Sequence, residues 1–360
     1  MLVYYNNSGN ISVCFGDGFG DPDMIIKIES DVIQLCVGED VTEFPRGKNI
    51  AISEEGNKVI VDFDASTPGV DGFEMELATM GDDVSEILIK QDGETVMEIT
   101  DDGVRDKEEI ADDEAVASGM KCKVGDQYFE SLKEAFDSAE PGKAITIKML
   151  DDEEGAGIGL FTADGDENLD ITVDFDGHTY TASSPAVGSA KTETQALHLE
   201  MNNKVTLMNG AFTSDRNAAD IKMLIQNYCD LTLDNMICDC ADDASITYVV
   251  SNNFGNCLIN NSEIKAHPSR VAVDCWFGLG KNYDSGLTVT LQDSDIDSTI
   301  EYGAQKAALN RAGNEEWWTK AVLTVNNCTF GSIVNSGQAS EQEHHTIIVD
   351  GEEVGFIPAE

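Results

Sequence analysis

The chain is poor in positive charge. Its 360 residues include 22 lysines and arginines against 68 aspartates and glutamates, which gives a formal net charge of −46 at pH 7. A surface this acidic repels phosphate backbones and anionic lipid headgroups, so we expect neither nucleic acid nor a membrane surface as a partner. The hydrophobic fraction of 41% is nevertheless typical of a folded protein.

Long apolar runs are also missing. The first residues contain no basic stretch followed by an apolar one, and no segment approaches the ~18 apolar residues of a membrane span. These absences predict a protein that has no signal peptide and folds in the cytoplasm of the cell that makes it.

Paired cysteine motifs are absent as well. The nine cysteines have no regular spacing, and the chain is long enough to build a core without disulfides. We expect reduced, buried thiols that pack as small hydrophobic side chains. Cys238 and Cys240 come closest to a zinc-binding pair, but on a strand they would share one face, which favours core packing.

The N-terminal third has the pattern of a small all-β module. Residues 1–105 contain short alternating stretches of apolar and polar residues separated by turn residues, which predicts a sandwich or barrel-like arrangement. The turn at residues 91–94 predicts a hairpin. Residues 106–120 are acidic and poor in large apolar side chains, so we interpret them as a linker or an exposed connecting helix.

An amphipathic helix is expected next, and it would cover the open end of a solenoid. Pro141 and Gly142 would end this helix and lead into the strand at residues 144–150. The apolar stripe of the predicted helix consists of Phe129, Leu132, Phe136 and Ala139.

One short pattern recurs along the C-terminal two thirds. Each copy has an apolar residue, often a threonine, a second apolar residue, and then two or three of Asn, Asp, Gly and Ser. This alternation predicts short strands stacked around a shared core, with ladders of identical side chains and with loop insertions in the longer repeats. The second apolar residue marks each copy, at Val173, Leu207, Leu233, Ile259, Leu291 and Val325, so that the steps are 34, 26, 26, 32 and 34 residues.

The six copies, the sequence of residues 128–136 and the Pro-Gly-x-x-Ile-Thr-Ile sequence from Pro141 resemble the right-handed parallel β-helix of the pectate-lyase-like superfamily. The similarity is to the kind found in virion proteins of tailed bacteriophages, namely head fibre, capsid decoration and tail spike proteins. It covers roughly residues 120–340 and implies a mainly β protein. In this arrangement the parallel β-helix would span residues 121–340 and a C-terminal tail residues 341–360.

The resemblance implies a structural protein on the virion surface of a tailed bacteriophage, with an adhesive role toward the host. Module 1–105 would dock onto capsid or tail proteins, and the resemblance also implies a homo-oligomer, in the form of a trimer. The alternative is a tail spike that binds or degrades polysaccharide, because the same fold carries hydrolases, lyases and adhesins. No nucleophile elbow, zinc-protease or phosphate-loop motif occurs, so we predict no catalytic residue.

A polysaccharide hydrolase on such a fold would need two or three carboxylates on adjacent strands. In a chain with 68 acids, candidates are expected by chance, and we interpret them as a solvated face. These candidates are Asp234, Glu263, Asp274, Asp293 and Asp295.

Two further groups of residues suggest binding sites. Trp276, Trp317 and Trp318 are predicted to contact a glycan or a partner, or else to cap the end of the solenoid. The spacing of oxygen-bearing side chains at Asp164, Asp166, Asn168 and Asp170 is that with which calcium loops begin. Because Leu169 stands where such loops have glycine, an acidic loop is the alternative, and no other cofactor is predicted.

Overall fold

The computed structural model describes the chain in segments. The described residues are 2–5, 11–15, 24–28, 32–37, 40–45, 51–55, 58–62, 73–80, 83–91, 93–100, 103–161, 168–189, 191–253, 255–277, 288–304, 322–336, 346–354 and 357. They form a mainly β protein, and the chain divides into one compact unit over Met1–Glu114 and a second over Ala115–Glu360. No helix among these residues has the length and apolar character needed to span a membrane.

The first unit contains two antiparallel sheets in which each strand pairs with the next one along the chain. The predicted hairpin at residues 91–94 is present, since Gln91 pairs with Glu94. The five-stranded sheet consists of β1 (Leu2–Tyr5), β2 (Ile11–Phe15), β3 (Met24–Ile28), β4 (Val32–Val37) and β5 (Asp40–Pro45). The six-stranded sheet consists of β6 (Ala51–Glu55), β7 (Lys58–Asp62), β8 (Phe73–Met80), β9 (Asp83–Gln91), β10 (Glu94–Thr100) and β11 (Gly103–Asp106).

The acidic connector forms helix α1 (Lys107–Ala117). Asp106 begins it as a capping residue, because its Oδ1 accepts hydrogen bonds from the backbone N–H groups of Glu108 (2.9 Å) and Glu109 (3.0 Å). The Glu109 carboxylate in turn accepts a hydrogen bond from the N–H of Asp106, at 3.0 Å. This reciprocal pair explains why a helix with few apolar residues starts at this point.

The second unit begins with β12 (Cys122–Val124), β13 (Gln127–Phe129), helix α2 (Leu132–Asp137) and β14 (Ala144–Met149). The predicted helix was too long at both ends. Ser131 caps α2 with an extended backbone and accepts a hydrogen bond from the N–H of Glu134, so the helix starts after it. Phe129 instead pairs with Cys122 in the hairpin of β12 and β13.

A 21-stranded sheet, rich in parallel pairs, runs from β12 to the C-terminal region. Its antiparallel pairs lie at the two ends, where β12 pairs with β14 and β31 with β32. The strands after β14 are β15 (Glu153–Ala156), β16 (Ile158–Leu160), β17 (Asp170–Asp174), β18 (Thr179–Ser183), β19 (Gln195–Leu199), β20 (Lys204–Ser214), β21 (Met223–Asn227), β22 (Asp230–Cys240), β23 (Tyr248–Asn253), β24 (Asn256–Asn260), β25 (Glu263–Ala266), β26 (Val271–Phe277), β27 (Thr288–Gln292), β28 (Asp295–Ala304), β29 (Val322–Asn326), β30 (Thr329–Asn335), β31 (Thr346–Val349) and β32 (Glu352–Val354).

The parallel pairs form three ladders, in each of which a strand pairs with its counterpart one repeat later. The first ladder contains β14, β17, the first half of β20, the first half of β22, β24, β27, β29 and β31. The second contains β15, β18, the second halves of β20 and β22, β25, and the beginnings of β28 and β30. The third contains β16, β19, β21, β23, β26, and the ends of β28 and β30.

The register of the first ladder confirms the repeat predicted from the sequence. The six marker residues, from Val173 to Val325, pair with one another in a single column. All six are buried in one hydrophobic core. The column also includes Ile147 before the first copy and Val349 after the last, so the ladder extends into the segment predicted as a tail.

Cysteines contribute to this core as expected. The described cysteines at 122 and beyond are free, and all except the half-buried Cys328 are buried. Cys238 and Cys240 are both buried, so that this pair packs in the core. Burial raises the pKa of the Cys257 thiol to about 12, so it stays protonated and unreactive.

After β14, each first-ladder segment is followed by a bend in which one residue has a left-handed backbone. Asn209, Asn235 and Asn261 have φ values of 60°, 55° and 48°. Their side chains form a ladder, because Asn235 Nδ2 donates to Asn209 Oδ1 at 3.1 Å and Asn261 Nδ2 donates to Asn235 Oδ1 at 3.4 Å. Asparagine is among the few residues other than glycine that tolerate this conformation, which explains its recurrence there.

We predict that Asn235→Ala destabilises the protein by about 1–2 kcal/mol, because alanine is strained at positive φ and loses both amide contacts. Asn235→Gly should cost less, since glycine adopts this backbone freely. Denaturant unfolding of the two variants beside the wild type measures the difference. Equal destabilisation by alanine and glycine would contradict the role assigned to the backbone.

Candidate functional site

The outer face of the third ladder carries a row of polar side chains. Leu197 and Leu199 are buried in the core, so the alternation of β19 directs His198, which lies between them, to the opposite face. The same position is polar on the strands that follow. In register, the row consists of His198, Gln226, Ser251, Asp274 and Glu301.

Hydrogen bonds connect the middle of this row. Gln226 Nε2 donates to Ser251 Oγ at 3.3 Å, and Ser251 Oγ donates to Asp274 Oδ2 at 3.2 Å. Gln226 and Ser251 are themselves buried, with 4% and 1% of their surfaces exposed. The row is therefore an ordered polar network and not a solvated edge.

Asp274 and Glu301 lie on adjacent strands at the end of this network. Burial raises the pKa of Asp274 to about 7, and the neighbouring Glu301 carboxylate adds to the effect while Ser251 opposes it. Burial also raises the pKa of Glu301. Burial raises the pKa of the half-buried Tyr248 phenol, and the nearby Asp274 and Glu301 carboxylates raise it further. Asp274 therefore keeps its proton up to near neutral pH, next to a second carboxyl group.

Aromatic side chains lie beside the polar row. Trp276 follows Asp274 by two residues, so both side chains project from the same face of β26. The indole lies over Gly303, its partner on the next strand, where a Cβ atom would come within 2.5 Å of Trp276 Cζ3. Glycine at this position leaves room for the indole.

The other end of the row has a similar arrangement. A Cβ atom on Gly159 would lie 2.1 Å from Cε2 of Phe161, so the phenyl ring also covers a glycine. This ring stacks on His198 with the ring centroids 5.0 Å apart. The surface between Phe161 and Trp276, which we call the third-ladder face, thus has an aromatic ring over a glycine at each end and polar groups between them.

Of the five acids considered from the sequence, Asp274 alone lies in this row. Asp234 accepts a hydrogen bond from Asn260 Nδ2 at 2.7 Å, and Asp293 accepts one from Asn327 Nδ2 at 2.6 Å. The other two are also held by neighbours, Asp295 by Thr329 and Glu263 by Lys265. These four carboxylates take part in the ladders and turns of the fold.

Trp276 is the one predicted contact residue that the structure describes, since Trp317 and Trp318 lie outside the described residues. Asp164 and Asp166 of the calcium prediction also lie outside them. The Asn168 carbonyl accepts a hydrogen bond from Gly142 N–H, and Asp170 pairs with Lys204 at 3.1 Å. Within the described part of the chain, no three acidic, histidine or cysteine side chains cluster as a metal site would require. Calcium binding remains a prediction.

No local pattern in the sequence marks His198, Gln226, Ser251 or Glu301 as a group. The first-ladder marker recurs at recognisable intervals, but the polar row does not keep a constant distance from it. His198 follows its marker by 25 residues, whereas Glu301 follows Leu291 by 10. The segments between the ladders vary in length, and this variation conceals the row in the sequence.

Comparison of the chain with protein-family models, with curated proteins and with solved structures finds no match.

We predict that Asp274→Asn stabilises the protein at alkaline pH relative to acidic pH. The folded chain keeps a proton on Asp274 up to about pH 7, whereas the unfolded carboxyl loses it near its ordinary value of 3.8. The folded state therefore binds more protons in this window, and the contribution of Asp274 to stability falls as pH rises from 4 to 7. Asparagine does not titrate, so the free energy of unfolding of the variant does not fall with pH for this reason.

The expected gain of Asp274→Asn over wild type between pH 4 and pH 8 is about 2 kcal/mol, half of what the full shift implies, because the side chain is partly exposed. Urea denaturation at both pH values measures it. Asp239→Asn, on the exposed face of the second ladder, is the control. A gain that is the same at both pH values would refute the assignment.

Proposed function

We propose that residues 121–354 form a right-handed parallel β-helix that binds glycans along the third-ladder face. Three parallel ladders, each joining strands one repeat apart, support the β-helix, because three strands per repeat would wind around the common core. The observation that carries the binding proposal is the partly exposed group at one end of the third-ladder face, where Asp274, Trp276 and Glu301 lie side by side on two adjacent strands.

The chemistry of the third-ladder face fits carbohydrate. Sugars offer hydroxyl groups that donate and accept hydrogen bonds, and C–H faces that pack on aromatic rings. Trp276 supplies a half-buried indole that packs over Gly303, and Asp274 supplies a carboxyl group on the same strand. Glu301 lies on the adjacent strand, at the ~4.8 Å strand spacing, and adds a second carboxyl group to this partly exposed set.

We further propose that the protein is displayed on the surface of a tailed-phage particle as a homo-oligomer, where glycan binding would serve adhesion to the host. The resemblance described above and the net charge of −46 support this setting, since a strongly acidic coat keeps many displayed copies soluble and apart. Detection of the protein in purified particles by mass spectrometry, and the mass of the free protein in sedimentation, test the two parts separately.

We predict that Trp276→Ala lowers affinity for the bound glycan by about tenfold, which corresponds to about 1.4 kcal/mol, because the aromatic platform is lost. Immobilised capsular and O-chain polysaccharides provide the first screen, and titration calorimetry measures the affinity. Thr232→Ala, on the outer side of the first ladder, is the matched control and should bind as the wild type does. Equal losses in both variants would argue against the third-ladder face.

A second candidate function is hydrolysis of the bound glycan, which the Asp274 and Glu301 pair favours. Their strands are adjacent, and both side chains have raised pKa values. A protonated carboxyl beside an ionised one is the arrangement that glycoside hydrolysis uses, the first as acid and the second as base or nucleophile. Asp274, with its pKa of about 7, suits the acid.

If this second function holds, new reducing ends should accumulate when the protein is incubated with a bound polysaccharide. Activity should decrease as pH rises through about 7, because the acid loses its proton. Glu301→Gln should reduce the rate by at least about a hundredfold, whereas Asp297→Asn on the same strand should leave it unchanged. Binding without any release of reducing ends would leave adhesion as the function.

A further inference from the structure

His198 is a buried polar side chain for which the described residues provide no hydrogen bond. The residue is 1% exposed, and neither ring nitrogen has a partner among those residues. Glu200 Oε1 lies 3.7 Å from His198 Nε2, too far for a direct hydrogen bond. A buried polar group left without a partner costs about 1–3 kcal/mol, which the fold would avoid unless the group had a use.

Two aromatic rings enclose the imidazole. Tyr228 lies on one side, with the ring centroids 5.5 Å apart and tilted by 54°. Phe161 lies nearly parallel to it at 5.0 Å, yet 51% of the Phe161 surface is exposed. An exposed phenyl ring that shields a polar group from water is held by little apolar contact of its own. Phe161 can therefore leave at a small cost.

We infer that Phe161 is a displaceable cover, and that His198, Glu200 and Tyr228 beneath it form a subsite for one hydroxylated ring of a neutral glycan. This inference rests on the proposed function, which it deepens by adding a contact three strands, or about 14 Å, from Asp274. A ligand hydroxyl can bridge two groups 3.7 Å apart while it lies about 2.8 Å from each.

The charges around the subsite select the ligand class. Burial lowers the pKa of His198, although Glu200 opposes this effect, so the imidazole is neutral at pH 7 and offers one donor and one acceptor. One sugar hydroxyl can accept a hydrogen bond from the imidazole N–H and donate its single proton to Glu200, and a second hydroxyl can donate to the unprotonated ring nitrogen. An anionic sugar would meet the Glu200 carboxylate and the acids further along the row. A neutral pyranose that takes the place of the Phe161 ring against His198 fits these constraints.

Gly159→Ala tests the cover directly. The new Cβ would lie 2.1 Å from Phe161 Cε2, so the ring has to move away from His198. Carbethoxylation of His198 by diethyl pyrocarbonate, followed by peptide mass spectrometry, should become at least tenfold faster in Gly159→Ala and in Phe161→Ala. Gly303→Ala produces the same clash with Trp276 at the other end and should leave His198 labelling unchanged. If Gly159→Ala and Phe161→Ala are both labelled at the same rate as the wild type, the inference is overturned.

Binding of a ligand tests the subsite. The probes are neutral hexasaccharides, namely maltohexaose, cellohexaose and N-acetylchitohexaose, measured by titration calorimetry. The probe that binds should bind several-fold more tightly to Phe161→Ala, because the cover no longer competes, and about tenfold more weakly to His198→Phe.

The outcomes separate the inference from the proposed function. Weaker binding to Phe161→Ala would indicate that the phenyl ring contacts the sugar instead of covering the subsite, and would overturn the inference. Binding that depends on Trp276 but not on His198 would overturn the subsite and leave the proposed function standing. If no probe and no polysaccharide binds, the proposed function fails, while the labelling rates still report whether Phe161 covers His198.

Discussion

The structure of the second unit depends on the in-register stacking of short strands with alternating side chains. In the first ladder, residues such as Leu207, Leu233 and Ile259 pair directly and project into one core. A slip of one residue in any strand would turn its apolar side chains outward and its polar ones inward. Burial in these columns therefore sets the register of the outer face, where the candidate site lies, and the site inherits its spacing from the core.

The sequence predicted the first ladder well because its pattern is local. An apolar, threonine, apolar triplet followed by two or three of Asn, Asp, Gly and Ser is contained within six or seven residues, so the marker column could be recognised. The extent of helix α2 was not predicted, because Phe129 has the spacing of a helical stripe but pairs with Cys122 in a hairpin. Long-range pairing decided its conformation.

The candidate site was hidden for a related reason. Asp274 was considered among many acids, but the partner that distinguishes it, Glu301, lies 27 residues away on the next strand of the third ladder. Only the register joins them, and insertions of different length separate the ladders. Gly159 and Gly303 are a further example, since neither is in a turn and each is explained only by the aromatic ring that lies over it.

The repeat also determines how this molecule can change in size. Asp230 and Asn256 occupy equivalent positions one repeat apart, 26 residues along the chain. Loss or duplication of one such repeat would shift all later strands by one strand spacing. The columns of paired residues would stay intact. The distance between His198 and Asp274 can therefore vary only in whole steps of about 4.8 Å. Gain or loss of repeats would therefore change the length of the third-ladder face without changing either of its ends.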